Sequence, residues 1–265
     1  MTTTQRTTSA DGTTIAYEKV GSGPALVLVD GALCYRGFGP ARSLAEALKE
    51  QFTVYLYDRR GRGESGDTQP YAVGREIEDL AAVITAAGGD AAVMGQSSGG
   101  GLALEAAASG VPIRKLAVYE PPYVGRTTAK GRTVDHLGKL KQLIAAGDRG
   151  GAVSYFMVRM VGAPAFAPIM MRLKPKVWQQ LESVAHTLPY DTAIMDGYAV
   201  PTERLRTISV PTLVMGGSKG KANMQAAVQG VADAVPGARR RILDGQTHQV
   251  SDRALAPVLV EFFAE

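Results

Sequence analysis

Cysteine occurs once in the 265 residues, at Cys34, so the chain cannot close a disulfide within itself, and a reducing compartment is the expected setting. Histidine is nearly as scarce. His136, His186 and His248 show none of the paired spacings that ligate zinc, so no metal site is expected. Apolar runs of about 18 residues are missing, which excludes a spanning helix. The opening MTTTQRTTSADG lacks the apolar stretch of a secretory leader, and a cytoplasmic protein with no membrane partner is expected. Charge of one sign is not in large excess, the net being +4. The basic runs Arg-Arg-Gly-Arg at 59–62 and Arg-Arg-Arg at 239–241 carry no interleaved aromatics; they read as solvated surface, and nucleic acid is not expected as a partner. What the chain does have is 45% hydrophobic residues, enough for one sizeable core.

That apolar content is arranged rhythmically. An Asp-Gly turn at 11–12 between two β-rich runs predicts an amino-terminal hairpin. ALVLV at 25–29 is a continuous apolar run of the kind buried on both faces of a parallel sheet. Further strands are predicted at 52–58, 91–95, 114–120 and 210–217 and in RRRILDG, with helices at 43–51 and 74–89, after Gly100, through NMQAAVQGVADAV and at the carboxyl end. Strands alternating with helices at this spacing imply an α/β fold with a mostly parallel sheet. The rhythm breaks between 125 and 205, where helical or irregular sequence rich in Met, Ala and Pro forms an insertion longer than an ordinary connection. The expected division is a core domain of residues 1–124 and 206–265 and a helical cap of residues 125–205.

The sharpest local signal is Gly95-Gln96-Ser97-Ser98-Gly99, a G-x-S-x-G pattern directly between an apolar strand and a helix. Glycines there permit a tight turn that lifts Ser97 above the sheet edge where open parallel sheets bind ligands. The alternatives are a glycine-rich turn without chemistry or a phosphate cradle, and the latter lacks both the P-loop ending and the dinucleotide fingerprint. A serine hydroxyl needs a base. His248, in LDGQTHQV after the last predicted strand, is placed to reach the same edge, whereas His136 and His186 lie in the insertion. An oxyanion needs two positioned donors; the candidates are the N–H of Ser98 and, from the loop after ALVLV, that of Ala32, with Gly31 allowing close approach.

With VLVDG, YDRRGRGESG at 57–66, GQSSG, the insertion after the sixth strand, PTLVMGG and GQTH, the chain resembles the α/β-hydrolase superfamily over nearly its whole length. The resemblance implies a mostly parallel sheet flanked by helices, a nucleophile elbow at Ser97 and no cofactor. It says little about substrate. Two positions depart from the family pattern: Asp30 stands where a histidine is common, and Gly220 stands where the acid usually follows the strand of PTLVMGG. Glu120, at the carboxyl end of RKLAVYE before Pro121 and Pro122, then becomes the candidate acid, in the order Ser, Glu, His. A strand-end glutamate at the entrance to the cap is the plainer alternative. Acid placement after the sixth strand resembles the zearalenone lactone hydrolases.

The insertion carries Tyr155, Phe156, Met157, Met160, Phe166, Met170, Met171, Trp178 and Met195, mainly cap core by composition, with some lining a pocket over Ser97. Leu33, Cys34, Phe38, Tyr123, Met157, Met160 and Trp178 are the candidate substrate-binding residues. Methionines repack easily, which suits an adaptable apolar pocket. No charged cluster marks a phosphate or carboxylate site, so a neutral, moderately hydrophobic ester or lactone is the expected substrate. A ligand receptor, or a lyase or cofactor-free oxygenase using the same serine and histidine, remains open on the same scaffold.

Overall fold

The computed structural model describes residues 3–125 and 134–265. The expected hairpin is β1 (Gln5–Thr8) and β2 (Thr14–Val20), paired antiparallel. Then come β3 (Ala25–Val29), α1 (Ala41–Leu48), β4 (Thr53–Tyr57), α2 (Val73–Ala86), β5 (Ala91–Gln96), α3 (Ser98–Ala108) and β6 (Ile113–Tyr119). Of the insertion, residues 126–133 lie outside the described residues. The remainder folds as α4 (His136–Ala145), α5 (Arg149–Tyr155), a π-helical turn at Phe156–Met160, α6 (Ala167–Arg172), α7 (Pro175–Val184), α8 (Leu188–Ile194) and α9 (Thr202–Leu205). The sheet rhythm then resumes with β7 (Thr212–Gly217), α10 (Ala222–Ala234), β8 (Arg239–Leu243) and α11 (Asp252–Ala264).

The strands form one sheet in the order β1-β2-β4-β3-β5-β6-β7-β8. β3 to β8 run parallel and β2 joins β4 antiparallel. Side chains alternate across a strand, and β3 shows the consequence. Val27 and Val29 enter the cluster on the face covered by α2, α3 and α10, with Leu80, Val83, Leu102 and Val228. Leu26 and Leu28 enter the cluster on the opposite face, under α1 and α11, with Leu44, Leu48, Leu255 and Phe262. Each such side chain, removed from water, contributes roughly 1.5–3 kcal/mol. A continuous apolar run is therefore required here, because both faces of the strand are covered.

Parallel strands bring their carboxyl ends to one edge. The loops that follow β3, β5, β6, β7 and β8 carry Gly31, Ser97, Glu120, Gly220 and His248 respectively. The α4-to-α9 segment forms its own apolar cluster, with Leu140, Val153, Trp178, Leu181, Val184 and Leu188, and Leu33 of the core joins it.

The loop after β4 departs from expectation. Arg59, Arg60 and Arg62, read from the sequence as solvated, are 1%, 0% and 1% exposed. Each guanidinium meets carboxylates that compensate its burial. Arg59 forks onto Glu76 at 2.7 and 2.9 Å, and Arg60 forks onto Asp79 at 2.8 and 2.7 Å and reaches Asp11 at 2.9 Å. Arg62 donates to Asp191 at 2.7 Å. Planar guanidinium forks suit such paired recognition. The second run, 239–241, is exposed as expected.

Candidate active site

Ser97 sits at the turn from β5 into α3 with φ +55° and ψ −129°. A non-glycine residue in such a conformation carries strain of about 1–3 kcal/mol and persists only where its surroundings over-determine it. Here its N–H donates to Tyr119 O at 2.9 Å, and its carbonyl accepts from Gly100 and Gly101 at 2.9 and 3.2 Å. A methyl carbon added at Gly99 would stand 2.2 Å from Val29 O, so the close approach of α3 to β3 demands glycine.

Glu120 ends β6 with φ +45°. Its N–H still donates to Met215 O at 2.9 Å in the sheet, but the left-handed turn and the two prolines that follow end the strand there. The side chain is almost wholly buried. Its Oε1 accepts from Gly217 N–H at 2.9 Å and its Oε2 lies 2.8 Å from His248 Nδ1. His248 Nε2 in turn lies 3.1 Å from Ser97 Oγ. A carboxylate at Nδ1 selects the tautomer with hydrogen on that nitrogen and leaves Nε2 able to accept from the serine. The loop carrying His248 is held by two neighbours of Ser97 and Glu120: Tyr119 Oη donates to Thr247 O at 2.5 Å, and Gln96 Nε2 donates to His248 O at 3.4 Å.

Gly220 leaves the room that Glu120 takes: a Cβ there would lie 3.0 Å from Glu120 Oε1, a tight contact. Asp244 is turned elsewhere, accepting from Ser218 Oγ at 3.1 Å.

The loop after β3 lies against Ser97. A Cβ at Gly31 would stand 3.0 Å from Ser97 Cβ and 3.6 Å from its Oγ. Buried guanidinium groups grip the loop carbonyls: Arg62 donates to Gly31 O at 2.7 Å and Cys34 O at 3.1 Å, and Arg59 to Asp30 O at 3.2 Å. Both arginines close on Asp191 of α8, at 2.7 Å each, and Ser98 Oγ donates to the same carboxylate at 2.8 Å. Burial alone would raise the pKa of Asp191, but Arg62 and Arg59 outweigh it and hold the group below its ordinary value. Asp30 is the opposite case. Burial pushes its pKa up to about 7, and Arg62 and Arg59 offset this only in part.

Sequence reasoning missed Arg59, Arg62 and Asp191. A signal existed: Glu76 and Asp79 fall on the buried face of α2 with Leu80, Val83 and Ile84, and acids at core positions of an amphipathic helix call for buried cations.

Among the candidate substrate-binding residues, Leu33 is buried in the apolar cluster of the α4-to-α9 segment, and Phe38, Met157 and Met160 pack against it half-buried, as does Ala32. Cys34 is half-buried; burial, with the Asp30 charge, pushes its thiol up to about 12. Trp178 is buried in the same cluster, with the Arg172 guanidinium 4.8 Å from its ring centroid. Tyr123 sits in the cluster on the α2 and α3 side. His136 Nδ1 pairs with Tyr155 Oη at 3.0 Å, and His186 Nε2 lies 3.8 Å from Asp67. Among the described residues no group of three or more His, Cys, Asp or Glu is placed to hold a metal ion.

Comparison with known proteins follows the same lines. A family model described as "Alpha/beta hydrolase family" matches residues 22–259. A pimeloyl-[acyl-carrier protein] methyl ester esterase of Xanthomonas campestris pv. campestris (strain B100) is 27% identical over 234 residues, 86% of this chain and 89% of the esterase. The crystal structure of an alpha/beta hydrolase from Sphaerobacter thermophilus DSM 20745 is 53% identical, with a TM-score of 0.89 over 98% of this chain and 100% of that one. The enol-lactonase from Burkholderia xenovorans LB400 shares the fold at 22% identity, TM-score 0.70, over 98% of this chain and 100% of its own.

Two outcomes are expected. Asp191→Asn leaves two buried guanidinium groups undercompensated and should lower the unfolding free energy by about 3–5 kcal/mol, against about 1.5–3 kcal/mol for Ser98→Ala, which removes one hydrogen bond to a charged group; urea unfolding of both variants measures the difference. For Asp30, ordinary value 3.8, the folded state holds the proton more tightly than the unfolded one. Its contribution is then full below about pH 4 and is lost as pH rises through about 7. Asp30→Asn should flatten that decline, read from urea midpoints taken at intervals across this range; an unchanged profile would assign the decline to other groups.

Proposed function

The chain belongs to the alpha/beta hydrolase family, and from that premise we propose that it is a serine hydrolase cleaving a neutral, moderately hydrophobic carboxylic ester or lactone through an acyl-enzyme. The observation that carries this reading is the unbroken line from Ser97 Oγ through His248 to Glu120, at 3.1 and 2.8 Å. In the first half-reaction Ser97 Oγ attacks the carbonyl carbon as His248 Nε2 takes the hydroxyl proton. The imidazolium formed is stabilised by Glu120, which also keeps the ring oriented. The oxyanion is received by the N–H groups of Ser98 and Ala32. Ser98 opens α3, where first-turn N–H groups have no intrahelical acceptor. Collapse of the tetrahedral intermediate breaks the bond to the alkoxy oxygen, which leaves with the proton from His248. Water then repeats the sequence on the acyl-serine, releasing the acid and restoring Ser97. Neither a metal nor an organic cofactor enters these steps.

The substrate class rests on two supports. The side chains packed around Ala32 and Leu33 are apolar and include Met157 and Met160, which suits a hydrophobic acyl or ring group. The esterase and the enol-lactonase to which the chain is similar act, by name, on ester bonds. Residues 125–205 are the cap over this site, and residues 1–124 and 206–265 the core that carries it.

Steady-state hydrolysis of a short chromogenic ester tests the reading. Ser97→Ala should abolish turnover, and Glu120→Gln should lower kcat by roughly 10⁴, the scale found when a triad acid loses its charge. Full activity in Ser97→Ala would remove the assignment, and tight lactone binding without turnover by the wild type would make the protein a receptor. The closeness of Gly220 to Glu120 gives a sharper check: adding Gly220→Asp to Glu120→Gly should recover a large part of the lost kcat, whereas Gly220→Asp alone crowds a second carboxylate against Glu120 and should lower activity.

A further inference from the structure

Exposed hydrophobic surface is concentrated in one place. Of the six large apolar side chains that the described residues leave exposed, five lie between 161 and 173: Val161 at 49%, Phe166 at 64%, Ile169 at 61%, Met170 at 55% and Leu173 at 71%. The sixth, Ile242, is in β8. Clustered exposed apolar surface on a globular chain marks an interaction site more often than scattered residues do.

The chemistry around the patch is one-sided. Arg159, Arg172, Lys174 and Lys176 are all exposed beside it, and Lys221 adjoins it, donating to Val161 O at 3.1 Å. From Arg149 to Leu181 the sequence has no aspartate or glutamate, although 25 acids in 265 residues would place about three in a stretch of that length. From Phe156 to Val177 it also has no serine, threonine, asparagine, glutamine, tyrosine or histidine. Within this segment the side chains therefore offer hydrocarbon and positive charge, with no neutral hydrogen-bonding group.

We propose that this face of the cap, around α6, is a docking surface for an anionic lipid bilayer. Hydrocarbon that enters the interface, together with cations that pair with anionic headgroups, is the combination that holds peripheral proteins at membranes. A second copy of the chain fits poorly, since it would set the same cations against one another. A protein partner would have to answer the cations alone, since the segment has no neutral polar side chain or carboxylate to share in the roughly one hydrogen bond per 100–200 Å² that protein interfaces carry. The segment's other side supports delivery to the site: Phe156, Met157, Met160 and Met171 pack against the cluster that contains Leu33, with Ala32 on its flank. An ester dissolved in the bilayer would meet the outer side of the same short segment whose inner side borders the oxyanion loop. No helix of the described residues is long and apolar enough to cross a membrane, so the contact is with the surface alone. This departs from the expectation of no membrane partner. That expectation came from hydropathy over long windows, which does not register a patch of this size.

Sedimentation of the full chain with vesicles tests the proposal, comparing equimolar phosphatidylcholine and phosphatidylglycerol with phosphatidylcholine alone. The wild type should bind the anionic vesicles, and added salt should weaken the binding. Lys174→Glu with Lys176→Glu should lower the partition coefficient by about twentyfold or more, each cation near the surface accounting for about fivefold. Phe166→Asp with Leu173→Asp should lower it in low and high salt alike. All four positions are exposed, so the thermal unfolding temperature should stay at the wild-type value and a loss of binding cannot be ascribed to misfolding. Three results would overturn the proposal: no binding to anionic vesicles, equal binding by the variants, or a concentration-dependent dimer that Phe166→Asp with Leu173→Asp dissolves. None of these readouts depends on the chemistry at Ser97.

Discussion

One buried carboxylate, Asp191, holds together the parts on which the site depends. It is charged, almost inaccessible to water, and within 2.7–2.8 Å of Arg59, Arg62 and Ser98. Removing such a group from water costs several kcal/mol unless its partners are fixed in advance, and two guanidinium groups and a hydroxyl provide that compensation. Through Arg59 and Arg62 the same charge grips the carbonyls of Asp30, Gly31 and Cys34. The turn at Ser97 and Ser98, the loop after β3 and helix α8 are thus tied to one point, and an opening at any of them would leave a buried ion imperfectly paired.

The placement of Glu120 shows the same logic of geometry over sequence position. β6 lies between β5 and β7 in the sheet, so a residue ending β6 is flanked by the elbow on one side and the β7 loop on the other. The imidazole reaching in from the β8 loop is met by Glu120 at the end of β6, and the β7 loop comes close enough that a Cβ at Gly220 would lie 3.0 Å from Glu120 Oε1. Such a meeting requires a strand end that turns its side chain toward the imidazole, and Glu120 does so with a positive φ and two prolines behind it.

How much of this was legible in the sequence follows from the range of the interactions involved. The sheet and its helices are written in local periodicity, and the strands differ from their expected bounds by one or two residues at their ends, as with 210–217 against Thr212–Gly217. Ser97, His248 and Glu120 were readable because parallel strands deliver their carboxyl ends to one edge, so chain order alone predicts proximity. The arginines of 59–62 were misread for the complementary reason. Whether a cation is solvated or buried depends on carboxylates brought to it from elsewhere, here 17 residues away for Glu76 and 132 for Asp191, and no local window contains them. The apolar residues of the insertion are ambiguous in the same way, since composition does not tell buried residues, such as Trp178, from exposed ones, such as Phe166.

Two parts of the α4-to-α9 segment are held with very different strength. In α8 six of seven residues are buried, Asp191 among them. Lifting that helix would expose apolar surface and strip two buried guanidinium groups of a counter-charge, at a cost of roughly 3–5 kcal/mol for the charge alone. In α6 the buried residue is Pro168, and the adjoining turn at Phe156–Met160 is π-helical with no fully buried side chain. Segments with few buried contacts are drawn from the low-stability end of a fold. Displacing residues 156–173 therefore costs far less than displacing α8, and it leaves the contacts of Arg59 and Arg62 with the carbonyls of Asp30, Gly31 and Cys34 untouched.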